Sequence, residues 1–377
     1  MSIRLSTQNV GDYLAAAGLC AEEEKAHLRM QSMPAKNFNL QISLTSGDKL
    51  LIKQERYNGQ GKTAGEFQNE WKIQEFLKHF EDLNKLQNWV PPALHYDAEQ
   101  SIIVFPYLDG YQNVFEYYSN ENEFPVEVAY AIGALIAKFH RLTFNSSDYQ
   151  RFFEKHDDQK VIVRMTDVAS QLERLGPEIF GTAPEDGLRF FMLYQRYESL
   201  AQAIKKLAAA FTPCCLMHND LKLNNILLRN DWRQGSAIEL RLIDWERATW
   251  GDPAHDLGTL ISGYLRIWLD NLIVSSSLSI EESIQLAAIP LVQLQPSIAV
   301  LVQAYLTVFS EILEQQPDFL MRVLQCIGLA LIQQILANIQ YKKIFCNTDI
   351  AMLQVAKTLL CSPHQATATI FGSTRSN

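Results

Sequence analysis

The chain has 377 residues, 47% of them hydrophobic, and a formal net charge of −9. That length and apolar content predict a core large enough for two domains. The lack of a basic excess argues against nucleic acid as the main partner, and the acidity fits a cationic substrate only weakly, because many proteins are acidic for solubility alone.

The six cysteines are scattered, with no C-x-x-C pair and no histidine at zinc-finger spacing. This predicts free thiols in a reducing compartment and no zinc site. The first residues, MSIRLSTQNVGDYL, lack the apolar core of a signal peptide. The most apolar segments, SIAVLVQAYLTVF and CIGLALIQQILANI, are broken by glutamine and short of the ~20 apolar residues of a membrane span, so they read as core helices. A cytoplasmic protein with no membrane partner is expected.

In chain order, residues 6–19 read as a short helix ending at Gly18. NFNLQISL, the turn TSGD and KLLIKQ form a hairpin, because apolar and polar residues alternate on both arms. A loop, YNGQGKTAG, leads into a helix in which Phe67, Trp71, Phe76 and Phe80 recur at helical spacing. SIIVFPYLDG is a strand entering a proline turn, and a domain boundary is expected there. The division is thus 1–105, a helical 106–363 and a polar, frayed tail at 364–377. Beyond the boundary, VEVAYAIGALIAKFHRL and residues 186–210 read as helices. NNILLR and AIELRLIDW flank RNDWRQGS as strand-like arms. Helices resume at DPAHDLGTLISGYL, with Ser279 and Glu282 forming a capping box before a further helix. The fold class is α+β, weighted towards helix.

Polar groups interrupt an apolar run in LMHNDLKLNNILL, residues 216–228. A carboxylate, Asp220, is followed five residues on by an amide, Asn225, in a loop entering a hairpin. This suits phosphoryl transfer: the Asp accepts or orients the proton of an attacking hydroxyl, and the Asn oxygen helps hold magnesium. One Asn does not hold magnesium alone, and the returning strand ends in a second oxygen donor, Asp244. Three oxygen donors bordering one apolar hairpin are costly unless they do chemistry.

HNDLKLNNILL together with LIDWERATWGDPAHDLG resembles the aminoglycoside phosphotransferase and choline kinase-like family. The resemblance runs from about Asn37 to Trp268. It implies a bilobal protein-kinase-like fold, with a small antiparallel-sheet N-lobe and a larger helical C-lobe holding the catalytic loop and substrate pocket. It implies Asp220 as catalytic base, Asn225 and Asp244 as magnesium ligands, His218 as a brace of the loop, and Asp256 as support for the loop backbone from the following helix. Asn219 stands where many antibiotic kinases have Gly. Lys222 stands where they often have His, and a cation there neutralises charge on the transferred phosphoryl group.

The same resemblance implies ATP as cofactor beside Mg2+. Lys53 then serves the nucleotide phosphates, and Glu70 orients it, with Glu66 as the alternative. Asn37 and Asn39 lie on the phosphate-covering turn AKNFNLQ, which contains no glycine. Adenine lies against VFPYL, near the backbone of Phe105 and Tyr107. Lys62 in NGQGKTAG imitates a P-loop, but Arg56 stands where the spacing needs Gly.

Only eight positions separate Asp244 from Asp252, too few for a segment that docks a peptide, so a small-molecule hydroxyl is the expected acceptor. Glu246, Asp252, Trp245, Trp250, Tyr264 and Trp268 are candidate pocket walls. Carboxylates with aromatics suit an amine or quaternary ammonium, such as an aminoglycoside, amino alcohol or aminosugar. The rival readings are a pseudokinase or nucleotide-binding interaction module, and a protein kinase or AMP-transferring enzyme on the same fold.

Overall fold

A computed structural model describes residues 3–154, 185–235, 237–275 and 277–372. The chain forms two compact units. The first combines Met1–Asn113 with Asn225–Ala248, and the second combines Val114–Asn224 with Thr249–Asn377. The α+β class holds, since one unit carries the larger antiparallel sheet and the other is mainly helical. A single cut at residue 105/106 does not describe the division. The segment from Asn225 joins the first unit because β8 (Ile226–Arg229) pairs on one side with β6 (Tyr111–Asn113) and on the other with β9 (Leu240–Leu242).

The first unit holds a five-stranded antiparallel sheet in the order β1 (Arg29–Ser32), β2 (Phe38–Ser43), β3 (Lys49–Gln54), β5 (Ile102–Pro106) and β4 (His95–Asp97). The expected hairpin is β2–β3, with Asn39 opposite Lys53. Alternation decides the faces. Leu50 and Ile52 join Val10 and Leu14 in one apolar cluster, while Leu51 packs with Phe67, Ile103 and Phe105 on the opposite face. Successive side chains of a strand point to opposite faces. Lys53 therefore shares the face of Leu51, the one covered by the helix Glu66–His79. The first helix is shorter than expected, Val10–Ala16.

In the second unit, β7 (Cys215–Met217) and β10 (Thr249–Gly251) form a two-stranded antiparallel ribbon. Around it stand helices that approach closely. A Cβ on Gly133, in Val126–Thr143, would lie 2.2 Å from the carbonyl oxygen of Leu301, in Leu291–Val308. A Cβ on Gly258, in Pro253–Asp270, would lie 2.5 Å from Cβ of Cys326, in Phe319–Ala337. Glycine is what permits both crossings. The capping box is present, with Ser279 Oγ accepting from Glu282 N–H and Glu282 accepting from Ser279 N–H.

Two expectations change. The stretch after Ser362 is not a frayed tail: Pro363–Phe371 is helical, with Pro at its first position, where a missing N–H costs nothing. Residues 373–377 of the expected tail lie outside the described residues. The apolar segments are also longer than expected, since Leu291–Val308 and Phe319–Lys342 are long and apolar enough to cross a membrane by length and composition. Their side chains Leu294, Ile298, Val323 and Ile327 are buried among the other helices of the unit.

Candidate active site

In the sheet-bearing unit, Lys53 is buried, and its ammonium donates to Asp244 and lies 3.8 Å from Glu70 Oε2. It also sits 5.5 Å from the centre of the Phe105 ring. Burial opposes the charge on Lys53, but Asp244 and Glu70 outweigh it and hold its pKa above the ordinary lysine value. Burial lifts the Glu70 carboxyl above its ordinary range, against the pull of Lys53. Glu66, the alternative partner, is turned elsewhere: it pairs with Lys36 and accepts from Asn37 Nδ2 at 3.3 Å. Of the two helix carboxylates, Glu70 is the one beside Lys53.

Asn225 and Asp244 border the open end of the β8–β9 hairpin. Asn225 O accepts from Ile243 N–H at 3.0 Å, immediately before β8 and just after β9. Asp244 has φ 61° and ψ 54°, a left-handed conformation uncommon outside glycine, asparagine and aspartate. Two hard oxygen donors fit magnesium, which takes one or two protein groups and shares the rest with phosphates and water. Asp244 is 35% exposed and already carries a cation, the Lys53 ammonium. Among the described residues, no group of three or more His, Cys, Asp or Glu could hold a metal ion.

Asn37 also accepts from Arg56 N–H at 3.4 Å through its side-chain oxygen. Asn39, expected on a turn, lies in β2, and its buried side-chain oxygen has no hydrogen-bond partner among the described residues. At the expected adenine edge, the Tyr107 N–H is already given to the Lys49 carbonyl at 2.8 Å. The Tyr107 carbonyl in turn accepts from Asp109 N–H at 3.1 Å, so both backbone groups of Tyr107 already have partners.

In the helical unit, the Asp220 carboxylate is paired with Lys222 at 2.8 Å. The loop before it is held by Asp256, which accepts from His218 N–H at 2.7 Å and from Asn219 N–H at 2.8 Å. Asn219 has φ 60°, so the change from Gly keeps one of the few residue types that accept this conformation. Asp256 also meets His140 Nε2 at 3.3 Å, and His140 Nδ1 meets the Tyr305 hydroxyl at 2.8 Å. Burial raises the Asp256 pKa, but the His140 contact and neighbouring imidazoles more than offset this and leave it below the ordinary value. His140 sits, buried, in the helix Val126–Thr143. Its part in supporting the loop depends on helices far apart in the chain.

The pocket candidates separate. Asp252 is buried and engaged by protein groups: it caps the Pro253–Asp270 helix through Ala254 N–H at 2.9 Å, accepts from Thr212 N–H at 3.0 Å and is paired with Arg322 at 3.1 Å. Tyr264 is buried with its hydroxyl 3.0 Å from that of Tyr118. Trp245 donates to Leu242 O at 3.1 Å. Trp250 and Trp268 are buried with indole N–H groups that have no hydrogen-bond partner among the described residues. The Glu246 carboxyl is pushed up to about 7, first by burial and then by Glu66, Asp244 and Glu70. His255 lies inside the Pro253–Asp270 helix and is buried.

Residues 60–275, more than half of the chain, match the family described as APH, the phosphotransferase enzyme family, and the chain belongs to that family. The match takes in Glu70, the segment 216–228 and Asp244 and begins after Lys53. The enzyme class read from the sequence, a phosphotransferase, is the class this family defines. A 4-hydroxytryptamine kinase of Psilocybe cyanescens is 25% identical over 174 residues, and the match spans 45% of this chain and 45% of that relative's length. Among solved structures, an ethanolamine kinase of Plasmodium vivax aligns over 96% of this chain and 92% of its own, with 14% identity and a TM-score of 0.59. The ADP-bound aminoglycoside phosphotransferase APH(2'')-Ib aligns over 93% of this chain and 99% of its own, with 15% identity and a TM-score of 0.51. At these identities the structural likeness speaks for the fold.

Proposed function

We propose that this protein is a cytoplasmic, ATP- and magnesium-dependent kinase that moves the γ-phosphoryl group to a hydroxyl of a small, amine-bearing molecule. The observation that carries the reading is the buried Lys53 ammonium set between Asp244 and Glu70. An ammonium held charged by two carboxylates is a ready partner for nucleotide phosphates. One of those carboxylates, exposed enough to take a metal, is the natural magnesium ligand together with Asn225. Bound there, magnesium would neutralise charge on the β- and γ-phosphate oxygens.

The roles follow residue by residue. Lys53 binds phosphate and Glu70 keeps it oriented. Asn37 and Asn39 cover the phosphates, and the strand carrying Phe105 with Tyr107 takes the base. Asp220 accepts the proton of the substrate hydroxyl as the new P–O bond forms and ADP departs. Lys222, now on Asp220, lowers the cost of the extra negative charge. His218 and Asp256 hold the loop. An amine on the acceptor is supported by the relative named for 4-hydroxytryptamine, which bears both a hydroxyl and an amine, and by the carboxylate Glu246, with the aromatics Trp250 and Trp268 as further candidates. The six free cysteines support a reducing compartment.

ADP release measured over a panel of amino alcohols, hydroxylated aryl amines, aminoglycosides, aminosugars and neutral sugars tests the reading. Turnover on amine-bearing members supports it, and turnover on neutral sugars alone removes the amine. Transfer of label from α- rather than γ-labelled ATP, or magnesium-dependent ATP binding with no acceptor at all, would replace it with one of the rival readings.

A further inference from the structure

Residues three and four apart on a helix lie side by side, so Glu66, Asn69 and Glu70 share one face of the helix Glu66–His79. All three address the turn that follows Asp244. Glu66 feels the charge of Arg247. Asn69 Nδ2 donates to the carbonyl oxygens of Glu246 at 3.0 Å and Ala248 at 2.8 Å. The Glu70 carboxylate is hydrogen-bonded by the Trp245 backbone. The other anchor of this helix is Glu55, just beyond β3. Its carboxylate accepts from Gly65 N–H at 2.9 Å and Phe67 N–H at 2.6 Å, capping the helix start. One helix is thereby tied to the strand that carries Lys53 and to the turn that carries Asp244.

The turn needs holding. Asp244 has a left-handed backbone, and such conformations persist where the surroundings over-determine them. Asn69 uses both amide hydrogens on carbonyls two and four residues beyond Asp244. Neither bond engages the Asp244 carboxylate, which meets the Lys53 ammonium instead. We propose that Asn69 is a positioning residue for phosphoryl transfer, fixing the Asp244–Ala248 turn so that the Asp244 carboxylate meets the metal–nucleotide complex in register with Lys53 and Glu70. The role rests on the reading of Asp244 as a magnesium ligand.

The test uses the full chain and the variants Asn69→Ala and Asn69→Asp, followed by backbone hydrogen exchange and by magnesium titration of ATP binding. Loss of two hydrogen bonds is expected to speed exchange of the Trp245–Ala248 amides about tenfold, with β2 and β3 unchanged, and to raise the magnesium concentration at half-saturation about tenfold. Asn69→Asp sets a carboxylate against two carbonyl oxygens and is expected to exceed Asn69→Ala in both readouts. If Asn69→Ala does not accumulate as folded protein, Asn69→Ser is measured in the same way. Exchange and magnesium midpoint both within about twofold of wild type would overturn the positioning role alone. Quickened exchange, with no magnesium-dependent ATP binding even in the wild type, would overturn the metal-ligand reading and the positioning role with it.

Discussion

The Asp256 carboxylate accepts the backbone N–H of Asn219 at 2.8 Å, while its other oxygen takes the N–H of His218 at 2.7 Å. Asp256 thus does for the loop before Asp220 what a helix cap does for orphan amides: it satisfies two donors that would otherwise be buried and unpaired. Asp256→Asn keeps the shape but turns one acceptor into a donor. The expected cost is about 2–3 kcal/mol of stability. Turnover is expected to fall further than magnesium–ATP affinity. Urea unfolding and steady-state kinetics on the same preparation check it.

Asp256 also sets an acid limit. Its folded pKa lies below the ordinary 3.8. A depressed carboxylate stabilises the fold above its unfolded value, and that contribution is lost as pH falls through the folded value. The wild type is therefore expected to lose part of its urea midpoint as pH drops below about 4, and Asp256→Asn is expected to lose less over the same range.

His255 acts in a higher window. Burial lowers its pKa from 6.5, against Asp256, Asp252 and Asp220, and its buried Nδ1 has no hydrogen-bond partner among the described residues. An imidazole kept neutral in the fold but protonated in the unfolded chain costs stability as pH falls below the unfolded value. Stability is expected to decline from about pH 6.5 downwards, and His255→Gln is expected to flatten that decline. Equal slopes between neutral pH and pH 5 would show that His255 does not supply it.

The β2–β3 hairpin, the β8–β9 arms, the Ser279 cap and the Asp220–Asn225–Asp244 spacing are legible in the sequence. Each is written locally, as alternation, turn residues or motif. Other features are not. The strands β7 and β10 are three residues each, too short to carry a period. Asp252 looks like a pocket residue beside the motif, yet its partner Arg322 is 70 residues away. Glu66 and Glu70 are both acidic positions on one helix face, and only the packing of that helix on the sheet puts Glu70 beside Lys53. Asn69 gives no signal at all, because its partners are backbone carbonyls nearly 180 residues on.

The glycine at the tightest helix crossing gives a prediction independent of catalysis. Gly133→Ala would push a Cβ to 2.2 Å from the Leu301 carbonyl oxygen, where backbone cannot yield cheaply. A loss of about 1–3 kcal/mol is expected from overpacking. Calorimetry of the variant checks it, and an unchanged melting temperature would show that the two helices stand further apart.

The most direct test of the account compares wild type with Asp220→Asn, measuring transfer of label from γ-labelled ATP to an accepted hydroxyl compound beside magnesium–ATP affinity. Removing a general base is expected to slow transfer by about 10²–10⁴ and to leave ATP affinity within about threefold, since Lys53, Asn225 and Asp244 are untouched. Transfer at a rate near wild type would contradict the assignment of Asp220, and with it the chemistry proposed for this chain.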